Sequence, residues 1–585
     1  MAKLNSEKIL ERVSKYQIVT FDCFDTLITR KVRKGNDVLH LLDALVSKQY
    51  HCPLHYFYKL RKRARYRLVR RNFKVDYTLD QIYRELAKIS KFNQKQLDEI
   101  KKLEVQTDLR CVVPRYDVRD LYNAILARKQ KIIIVSDMYY TKDIIVNLLT
   151  KCGYKGWTDI LVSCEENSKK LTGSLWKKYY ANNKAKSIHI GDNYLSDKFW
   201  PRRYHQPSIM LPSSYKLASA SRFINPNEDI ASKIIQGLIY NKCLFNTPFA
   251  SKNPCDSTFK YGYAILGPLF LTFFNWMKPY IRNKQLVFFS RDGYYLQKIY
   301  KDLLNSSKNY PKNDNYYLYT SRTTVACANV TSFKDLKEIT SLKTFQGHLK
   351  DFFLNRFGIV IKDEDDRYVN YVNKNYWVNK ISKKYKSVIL AKFKKDRKDY
   401  LAYVKKHVKK NAIIIDLGYI GTIQYYLNKL LNTNFAGLYF YKPPFNKAWR
   451  HNMVSRCCFG PSIDLHKWFI FRKTLEPFLT APYGQFIRMN GKQPILQPCP
   501  YDNKHLKHLE QIYQGVKRFI SDLANILPYD IADIKLDKKT AFNNLSKFNR
   551  LATNGYVSQD LAEVLSNEDF LTNLKRKQNF KAKRH

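Results

Sequence analysis

The side chains best suited to chemistry in this sequence come directly after short apolar runs. Asp22 follows "IVTF", Ser136 follows "KIIIV" and Asp192 follows "SIHIG". Runs of this kind are typical of buried strands in a parallel sheet, whose carboxyl ends meet at one edge. Lys170, in "SKKLTGS", and Asp197, in "DNYLSD", add a cation and another carboxylate. A nucleophilic carboxylate, a hydroxyl, a lysine and an acidic pair are what phosphoryl transfer through an aspartyl-phosphate needs.

Strands that alternate with helices are required to bring these residues together. Between the first two apolar runs lies a long insert with three-to-four-residue apolar spacing, for example "YKLRKRARYRLVRR" and "TLDQIYRELAKIS". Thr78 and Asp80 mark the start of the helix in the second of these segments. The pattern predicts a doubly wound α/β domain over residues 10–215 with a helical cap at about 30–128.

The second half of the chain repeats the order of strand, turn and helix. Buried strands are predicted in "QLVFFSRDG", "NYYLYTSR", "NAIIIDLGYIG" and "FAGLYFYK". We therefore predict a connector at 216–258, a second, Rossmann-like α/β domain at 259–495 and a helical C-terminal region at 496–585. The last residues form a basic tail, which is typical of a solvated chain end.

Polar residues at the strand-to-helix turns of this second half predict a further site. Glycine turns at helix N-termini bind anions, and arginines add bidentate contacts to phosphate or carboxylate. A nucleotide, a sugar phosphate or an acidic glycan would suit such a site. The alternative is that the acids cap helices and pair with the arginines. The candidates are Arg291, Asp292, Gly293, Ser321, Arg322, Asp416, Gly421 and Glu476.

Composition narrows the classes of protein to consider. The 585 residues are 45% hydrophobic and 15% aromatic, which excludes a disordered chain, and their formal net charge is +53. That charge favours polyanionic partners such as phosphorylated substrates or an anionic membrane surface. Nucleic acid is disfavoured, because no aromatic-interleaved basic motif accompanies the charge. A polar N-terminus and scattered cysteines without a CxxC pair predict a cytoplasmic protein with reduced thiols.

Taken together, the order and spacing of the first-half motifs resemble the haloacid dehalogenase (HAD) superfamily over roughly residues 10–210. The resemblance implies Asp22 as the nucleophile and as a Mg²⁺ ligand. It implies a second ligand in the backbone carbonyl of Phe24 and further metal contacts, direct or through water, from Asp192 and Asp197. Two more residues take roles by the same resemblance, with Ser136 binding the transferring phosphoryl group and Lys170 neutralising charge. Lys169 is the rival for this lysine, and Ser136, Asp25 and Asp137 could instead cap helices.

One position departs from the pattern of the superfamily. Its phosphatases usually carry an aspartate two residues after the nucleophile as general acid and base, and that position here is Phe24. Positioned acid catalysis is worth about 10² to 10⁴ in rate. Three hypotheses stay open: an activated phosphate or anhydride as substrate, Asp25 as a substitute acid, or a domain that binds phosphate without turnover.

The whole layout resembles a bacterial group of two-domain HAD hydrolases that accompany surface polysaccharide biosynthesis. The stretches "YGYAILGPLF", "FFSRDGYYL", "IDLGYIGTIQ" and "LEPFLTAPYG" carry this resemblance. It implies a Mg²⁺-dependent phosphohydrolase that acts on a phosphorylated sugar or glycan intermediate. The alternatives are a glycosyl or glycosyl-phosphate transferase that uses the second domain, with a regulatory first domain, and a nucleic-acid-end phosphatase or binding protein.

Overall fold

The computed structural model describes residues 6–221, 229–244, 257–340, 345–418, 421–441, 453–460, 465–555 and 557–565. The chain divides into two compact units, one of Met1–Pro268 with Arg518–Leu536 and one of Leu269–Lys517 with Asp537–His585. The boundaries predicted at 215, 258 and 495 differ from this division, because residues of the predicted C-terminal region belong to both units. The predicted basic tail lies outside the described residues, as do residues 222–228 and 245–256 of the predicted connector.

A five-stranded parallel sheet organises the first unit. The strands of this unit are β1 (Ile18–Phe21), β2 (Ile28–Arg30), β3 (Val112–Pro114), β4 (Lys131–Ser136), β5 (Asp159–Val162), β6 (Ser187–Gly191) and β7 (Ser208–Met210). The sheet has the order β5-β4-β1-β6-β7, whereas β2 and β3 form a separate antiparallel pair. Strands β1 and β6 are buried along their whole length, because helices cover both faces of the sheet. The predicted α/β character and parallel sheet are confirmed.

Among the described residues, twelve α-helices lie wholly within Met1–Pro268. They are α1 (Ser6–Val13), α2 (Val38–Tyr50), α3 (Tyr56–Arg71), α4 (Leu79–Ala87), α5 (Gln94–Cys111), α6 (Tyr116–Ala127), α7 (Lys142–Lys151), α8 (Ser174–Asn182), α9 (Trp200–Arg203), α10 (Ser214–Ser221), α11 (Ile230–Ile239) and α12 (Thr258–Tyr261). Helices α2 to α5 lie between β2 and β3 and correspond to the predicted cap. Helix α4 begins as predicted, because the Thr78 side chain accepts a hydrogen bond from the backbone N–H of Gln81.

Helix α11 lies within the connector predicted at 216–258. Every residue from Ala231 to Ile239 is buried, including the charged Lys233. Gly237 lies so close to the backbone of Val32 that a Cβ atom would stand 2.2 Å from its nitrogen. The helix is therefore part of the packed first unit, where its apolar residues are removed from water.

The second unit is built on another five-stranded parallel sheet. The remaining strands of the described chain are β8 (Gln285–Phe289), β9 (Asn315–Leu318), β10 (Gly347–His348), β11 (Tyr368–Val369), β12 (Ala412–Gly418), β13 (Ala436–Tyr441), β14 (Ser455–Cys457), β15 (Phe486–Asn490) and β16 (Gln493–Leu496). The sheet order is β14-β13-β12-β8-β9, and β10–β11 and β15–β16 are antiparallel pairs. Numbered along the chain, its strands follow the flavodoxin-like order 2-1-3-4-5 and not the Rossmann order 3-2-1-4-5 that a Rossmann-like domain would have. The difference arises because β12 returns to pair with β8 on the side away from β9.

The later helices are more numerous than the strand pattern alone suggests. They are α13 (Gly267–Met277), α14 (Gly293–Ser306), α15 (Arg322–Cys327), α16 (Phe333–Thr340), α17 (Leu349–Phe357), α18 (Lys374–Lys384), α19 (Lys386–His407), α20 (Thr422–Leu431), α21 (Leu465–Leu475), α22 (Asn503–Ala524), α23 (Lys538–Thr553) and α24 (Gln559–Leu565). Short 3₁₀ or π segments occur at Gly35–Asp37, Leu195–Phe199, Tyr240–Leu244, Gly262–Leu266, Lys278–Tyr280, Asp363–Asp365 and Ile531–Asp533. Within the described ranges, no helix combines the length and apolar character that crossing a membrane requires.

Candidate functional site

The topology of the first sheet places two carboxylates at its centre. Chain connections from β1 and β6 leave in opposite directions, so these neighbouring strands form the switch point where parallel sheets bind ligands. Asp22 follows β1 and Asp192 follows β6, and the N–H of Asp22 donates to the carbonyl of Ile190 at 2.9 Å. Both side chains therefore lie at the carboxyl edge of the sheet.

Lys170 connects two of the carboxylates at this edge. Its ammonium group is buried and donates to Oδ1 of Asp22 at 2.5 Å and to Oδ1 of Asp197 at 2.8 Å. Asp137 holds the loop in place, because it accepts hydrogen bonds from the backbone N–H groups of Lys170 at 2.7 Å and Leu171 at 3.0 Å. The lysine that contacts Asp22 is therefore Lys170, which the resemblance favours over Lys169.

The rival lysine points toward the cap. Lys169 donates to the carbonyl of Phe73 at 3.1 Å, and its ammonium group lies 3.5 Å from Asp76. These contacts join the loop to the segment between α3 and α4. Lys169 therefore has a structural explanation that does not involve Asp22.

Asp197 is held by protein donors on both of its oxygens. Besides Lys170, Nε2 of His189 lies 3.2 Å from Oδ1, and the N–H of Asn193 donates to Oδ2 at 2.9 Å. Burial raises its pKa, but Lys170 and His189 outweigh burial and hold the pKa of Asp197 well below its usual range. Gly191 leaves room for this arrangement, since a Cβ there would stand 2.5 Å from the Asp197 side chain. Asp197 therefore fixes Lys170 in place.

The carboxylates at this edge fit a divalent cation. Ligand oxygens of Asp22, Asp192 and Asp197 all lie within 4.8 Å of one another. Burial raises the pKa of Asp22 well above its ordinary value despite Lys170, and burial together with the charges of Asp25 and Asp197 raises the pKa of Asp192 to about 7. Oxygen ligands and uncompensated negative charge suit Mg²⁺. Asp22 and Asp192 are the best-placed direct ligands, because both oxygens of Asp197 already accept hydrogen bonds.

Ser136 and Phe24 are two further predicted residues of the first site. Ser136 ends β4 and lies one residue beyond the level of Asp22, since Phe21 pairs in register with Ile134. Its side chain is buried. The ring of Phe24 lies under the guanidinium of Arg30, whose central carbon is 4.0 Å from the ring centroid.

Asp25 adopts a left-handed backbone conformation with φ of 60°. Its N–H donates to the carbonyl of Ile28 at 2.7 Å, and its carboxylate accepts a hydrogen bond from Thr29 at 3.4 Å. Burial raises the pKa of Asp25, although Arg30 and Arg115 oppose the shift. These contacts place Asp25 beside the site and not in the role of a helix cap.

Two residues that sequence reasoning missed support the site. Arg115 is fully buried and donates to the carbonyls of Asp25 at 3.0 Å and Pro212 at 2.9 Å, so it ties together the loops after β1 and β7. His189 lies inside β6 and contacts Thr20 through Nδ1 at 2.8 Å. A polar residue in the middle of an apolar strand was the available signal for His189. Nothing local in the sequence marks Arg115.

The second sheet also brings acidic residues to its switch point, between β8 and β12. Asp292 follows β8, and Asp416 lies near the carboxyl end of β12. Burial raises the pKa of Asp292 well above its ordinary value, with further contributions from Asp416 and Glu476, while Arg291 and Arg322 oppose the rise. Burial also raises the pKa of Asp416 to about 7. These side chains are thus close enough to interact electrostatically.

Four second-site candidates also have local structural roles. Ser321 caps α15 by accepting a hydrogen bond from the N–H of Thr324 at 3.1 Å, and Gly421 begins α20 with φ of 78°. Gly293 packs on Phe288, where a Cβ would stand 2.8 Å from that side chain. Glu476 lies 3.3 Å from Arg472 in an i,i+4 ion pair. Glu476 therefore forms an ion pair with an arginine, which is the alternative to a role in the second site.

Comparison with known proteins gives matches at the level of solved structures. Neither a protein-family model nor a curated protein matches the chain. A 2-haloacid dehalogenase from Pseudomonas syringae pv. Tomato DC3000 matches with a TM-score of 0.27 and 14% identity, covering 33% of this chain and 86% of that chain. The HAD-hydrolase YfnB from Bacillus subtilis, in a structure bound to magnesium, matches with a TM-score of 0.25 and 15% identity, covering 34% of this chain and 88% of that chain. The geometry of the site itself therefore carries the functional conclusion.

Proposed function

We propose that the first unit is a Mg²⁺-dependent phosphohydrolase of the HAD type, with Asp22 as its nucleophile. The observation that carries this proposal is the contact of Lys170 with both Asp22 and Asp197 at the switch point of the sheet. A buried lysine beside a carboxylate at the end of a central strand stabilises the ionised nucleophile. Asp192 on the neighbouring strand completes the oxygen ligands for a metal.

The reaction follows from these positions. A carboxylate oxygen of Asp22 attacks phosphorus while the bond from phosphorus to the leaving oxygen breaks, and the leaving group departs with the electron pair. Water then attacks phosphorus, the bond to Asp22 breaks, and the carboxylate and inorganic phosphate are released. Mg²⁺, when bound, neutralises charge on the phosphoryl oxygens. In this proposal Lys170 opposes the negative charge throughout, and Ser136, at the end of β4, would donate to the phosphoryl group.

For the substrate, we propose a phosphorylated sugar or glycan intermediate of surface polysaccharide assembly. Two features of the sequence support this choice, namely the arrangement of two α/β halves and the net charge of +53, which attracts anionic substrates. The second half would recognise the rest of the substrate. Peripheral contact with an anionic membrane is compatible with the same charge.

The test is phosphate release from a panel of sugar phosphates, nucleotide sugars and activated diphosphates, with Mg²⁺ or with EDTA. We expect Asp22→Asn to lower the rate at least about 10³-fold, because the nucleophile is lost. Lys170→Met should behave similarly. Lys169→Met is the matched control, since Lys169 contacts Phe73 and Asp76 and not the nucleophile. Metal-dependent turnover that survives Asp22→Asn would contradict the mechanism.

A second candidate function is a glycosyl or glycosyl-phosphate transferase centred on the second sheet. The observation that favours it is the position of Asp292 and Asp416 at the switch point between β8 and β12. Burial there raises the pKa of Asp292, with further contributions from Asp416 and Glu476. Perturbed carboxylates at such a position are typical of functional sites. Turnover that survives Asp22→Asn and disappears in Arg291→Ala would favour this function over the hydrolase.

A further inference from the structure

A cavity of about 180 Å³ opens beside Asp25 in the first unit. That is the volume of roughly six liquid waters, which is room for a phosphate or carboxylate group with part of its hydration shell. Its walls come from the segment between β1 and α2 and from the residues after β7. The charged side chains that line it are Asp25, Arg30, Arg33 and Lys34, and Thr29, Ser213 and Tyr215 add hydroxyl groups.

Cations outnumber carboxylates on the walls of this cavity. Arg30 binds Asp108 through Nε at 2.5 Å and Nη2 at 2.8 Å, which leaves Nη1 on the side of Gly35. A Cβ at Gly35 would stand 3.1 Å from that Nη1, so glycine keeps the space in front of the guanidinium open. Lys34 is exposed, and its ammonium group lies 4.3 Å from the ring centroid of Tyr215.

Helix α11 and the turn after it fix the segment that carries these cations. Three residues at four-residue spacing on this helical stretch contact it. The ammonium group of Lys233 lies 3.6 Å from Asp37, Gly237 packs on the Val32 backbone, and Asn241 donates to the carbonyl of Arg30 at 2.6 Å. The cavity is therefore a built feature of the packed unit. Arg33, whose side chain is 8% exposed, lies 3.6 Å from the same Asp37.

The cavity adjoins the proposed site of phosphoryl transfer. Asp25 lines it, and the charge of Asp25 also acts on Asp192, the proposed metal ligand. Lys216, two residues after Ser214 at the start of α10, donates to the backbone carbonyl of Asp192 at 2.7 Å. Asp25 is therefore shared between the wall of the cavity and the surroundings of the proposed metal ligand.

We propose that this cavity binds a second anionic group of the substrate, a phosphate or a carboxylate close to the phosphoryl group that is transferred. The inference rests on the proposed function and adds to it the class of substrate, a bis-anionic phosphate compound. Where the second anion is a phosphate bonded directly to the transferred phosphoryl group, it also gives a reason for Phe24 at the position of the usual proton donor. A leaving group that is itself a phosphate is a weak base and departs without a proton.

The test compares probes that differ in the second anion. Binding of methylenediphosphonate and of methylphosphonate is measured by calorimetry with Mg²⁺ present, and hydrolysis is compared for p-nitrophenyl phosphate, fructose 1,6-bisphosphate, pyrophosphate and 3-phosphoglycerate. The variants are Lys34→Gln and the charge-preserving Lys34→Arg. Lys62→Gln is the matched control, because Lys62 is also exposed and lies over a tyrosine ring, at 5.3 Å from Tyr58.

We expect the wild-type protein to prefer the bis-anionic probe and Lys34→Gln to reduce that preference about tenfold, which corresponds to about 1.4 kcal/mol. Lys34→Arg and Lys62→Gln should retain the preference of the wild-type protein for the bis-anionic probe. Bisphosphates and 3-phosphoglycerate distinguish a phosphate subsite from a carboxylate subsite. Equal binding of both phosphonates, or a preference that Lys34→Gln leaves intact, would overturn the inference.

Failure of the proposed hydrolase function has a different signature. In that case no probe is turned over in a manner that depends on Asp22, while the two phosphonates still report on the cavity. Turnover of p-nitrophenyl phosphate that depends on Asp22, combined with equal phosphonate binding, would leave the function standing and reject the second anion.

Discussion

The strongest consequence of the site is that Asp192 destabilises the protein when no metal is bound. Its pKa of about 7 in the folded protein, compared with an ordinary value of 3.8, means that folding disfavours the charged form. Burial is the first cause, followed by the charges of Asp25 and Asp197. The stability cost is absent below about pH 4, grows as the pH rises, and is complete above about pH 8.

A shift of about three pKa units corresponds to about 4 kcal/mol at most. The partly buried amide of Asp192→Asn needs hydrogen-bond partners of its own, so we expect a smaller gain of about 2 kcal/mol. In EDTA at pH 8.5, the first unit of Asp192→Asn should therefore melt at least about 4 °C higher than in the wild-type chain. At pH 4.5, where the charge of Asp192 costs the wild-type chain only about 1 kcal/mol, the variant should melt slightly lower than the wild-type chain. Mg²⁺ should stabilise the wild-type chain strongly and the variant weakly.

Calorimetry at the two pH values, with and without Mg²⁺, measures the melting temperature of the wild-type chain and of the variant under each of these conditions. Asp143→Asn is the control, since Asp143 is an exposed aspartate in the first turn of α7, and it should show no gain that depends on pH in this way. A variant that is less stable than the wild-type chain at pH 8.5 in EDTA would refute the reasoning. So would equal stabilisation at both pH values, because the gain would then not come from a titrating carboxylate.

Three further predictions concern stability. Arg61→Met should lower the free energy of unfolding, measured with urea, by about 3 to 5 kcal/mol. Nη2 of Arg61 lies 2.8 Å from Glu104, and each side chain is only 1% exposed, so the variant leaves the charge of Glu104 buried without its partner. Asp335→Asn should lower the free energy of unfolding by about 1 kcal/mol at pH 7, and this difference should vanish as the pH falls below about 2. Burial raises the pKa of Asp335, but hydrogen bonds from Thr331 and Ser332 outweigh burial and lower the pKa to about 2. Gly237→Ala should lower the free energy of unfolding by about 1 to 3 kcal/mol and weaken methylenediphosphonate binding, because the new Cβ would displace the backbone at Val32.

Each of the three stability predictions has a control or an outcome that would contradict it. Neutralising the exposed pair of Lys101 with Asp80, at 2.9 Å, should cost less than about 1 kcal/mol, so an equal effect for Arg61→Met would contradict the role of burial. The Asp335 result fails if the cost of the variant is the same at pH 7 and pH 1.5. The Gly237 result fails if phosphonate binding stays unchanged while stability drops.

The strands that carry the first site could be predicted from the sequence because each is a short run of β-branched residues with a polar residue at its end. Such runs indicate both a buried parallel strand and the position of its carboxyl edge. That is why the residue pattern alone places Asp22, Ser136 and Asp192 at one edge. The loop of Lys170 followed from the resemblance, and the choice between Lys169 and Lys170 needed the contacts of each side chain.

Features that depend on distant pairing could not be predicted. The position of β12 beside β8 requires segments more than a hundred residues apart to pair, and local periodicity says nothing about their order. Helix α11 lies next to Ser-rich stretches that indicate a connector, although tertiary packing makes it a buried helix. The cavity beside Asp25 joins residues 25–35 to residues 213–215, and no local pattern marks it.

Asp25 permits a last test of what leaves the site. If the leaving group is itself a phosphate held by Arg30 and Lys34, no proton donor is needed, and the carboxylate of Asp25 opposes binding. If Asp25 is instead the general acid, its carboxyl group supplies about 10² to 10⁴ in rate for poor leaving groups and little for good ones. The two roles differ in what they predict for Asp25→Asn: the dependence of the rate on leaving-group pKa stays the same in the first case and becomes steeper in the second.

A series of aryl phosphates with leaving groups of graded pKa separates these roles in Asp25→Asn. We expect the slope of the logarithm of kcat/KM against leaving-group pKa to be the same as in the wild-type chain, and methylenediphosphonate to bind more tightly, because the only carboxylate among the cavity residues is gone. Thr29→Val is the matched control for loss of the hydrogen bond from Thr29 to Asp25 without loss of charge. A steeper slope in Asp25→Asn would identify Asp25 as the acid. It would then be Asp25, and not an anionic leaving group, that compensates for Phe24.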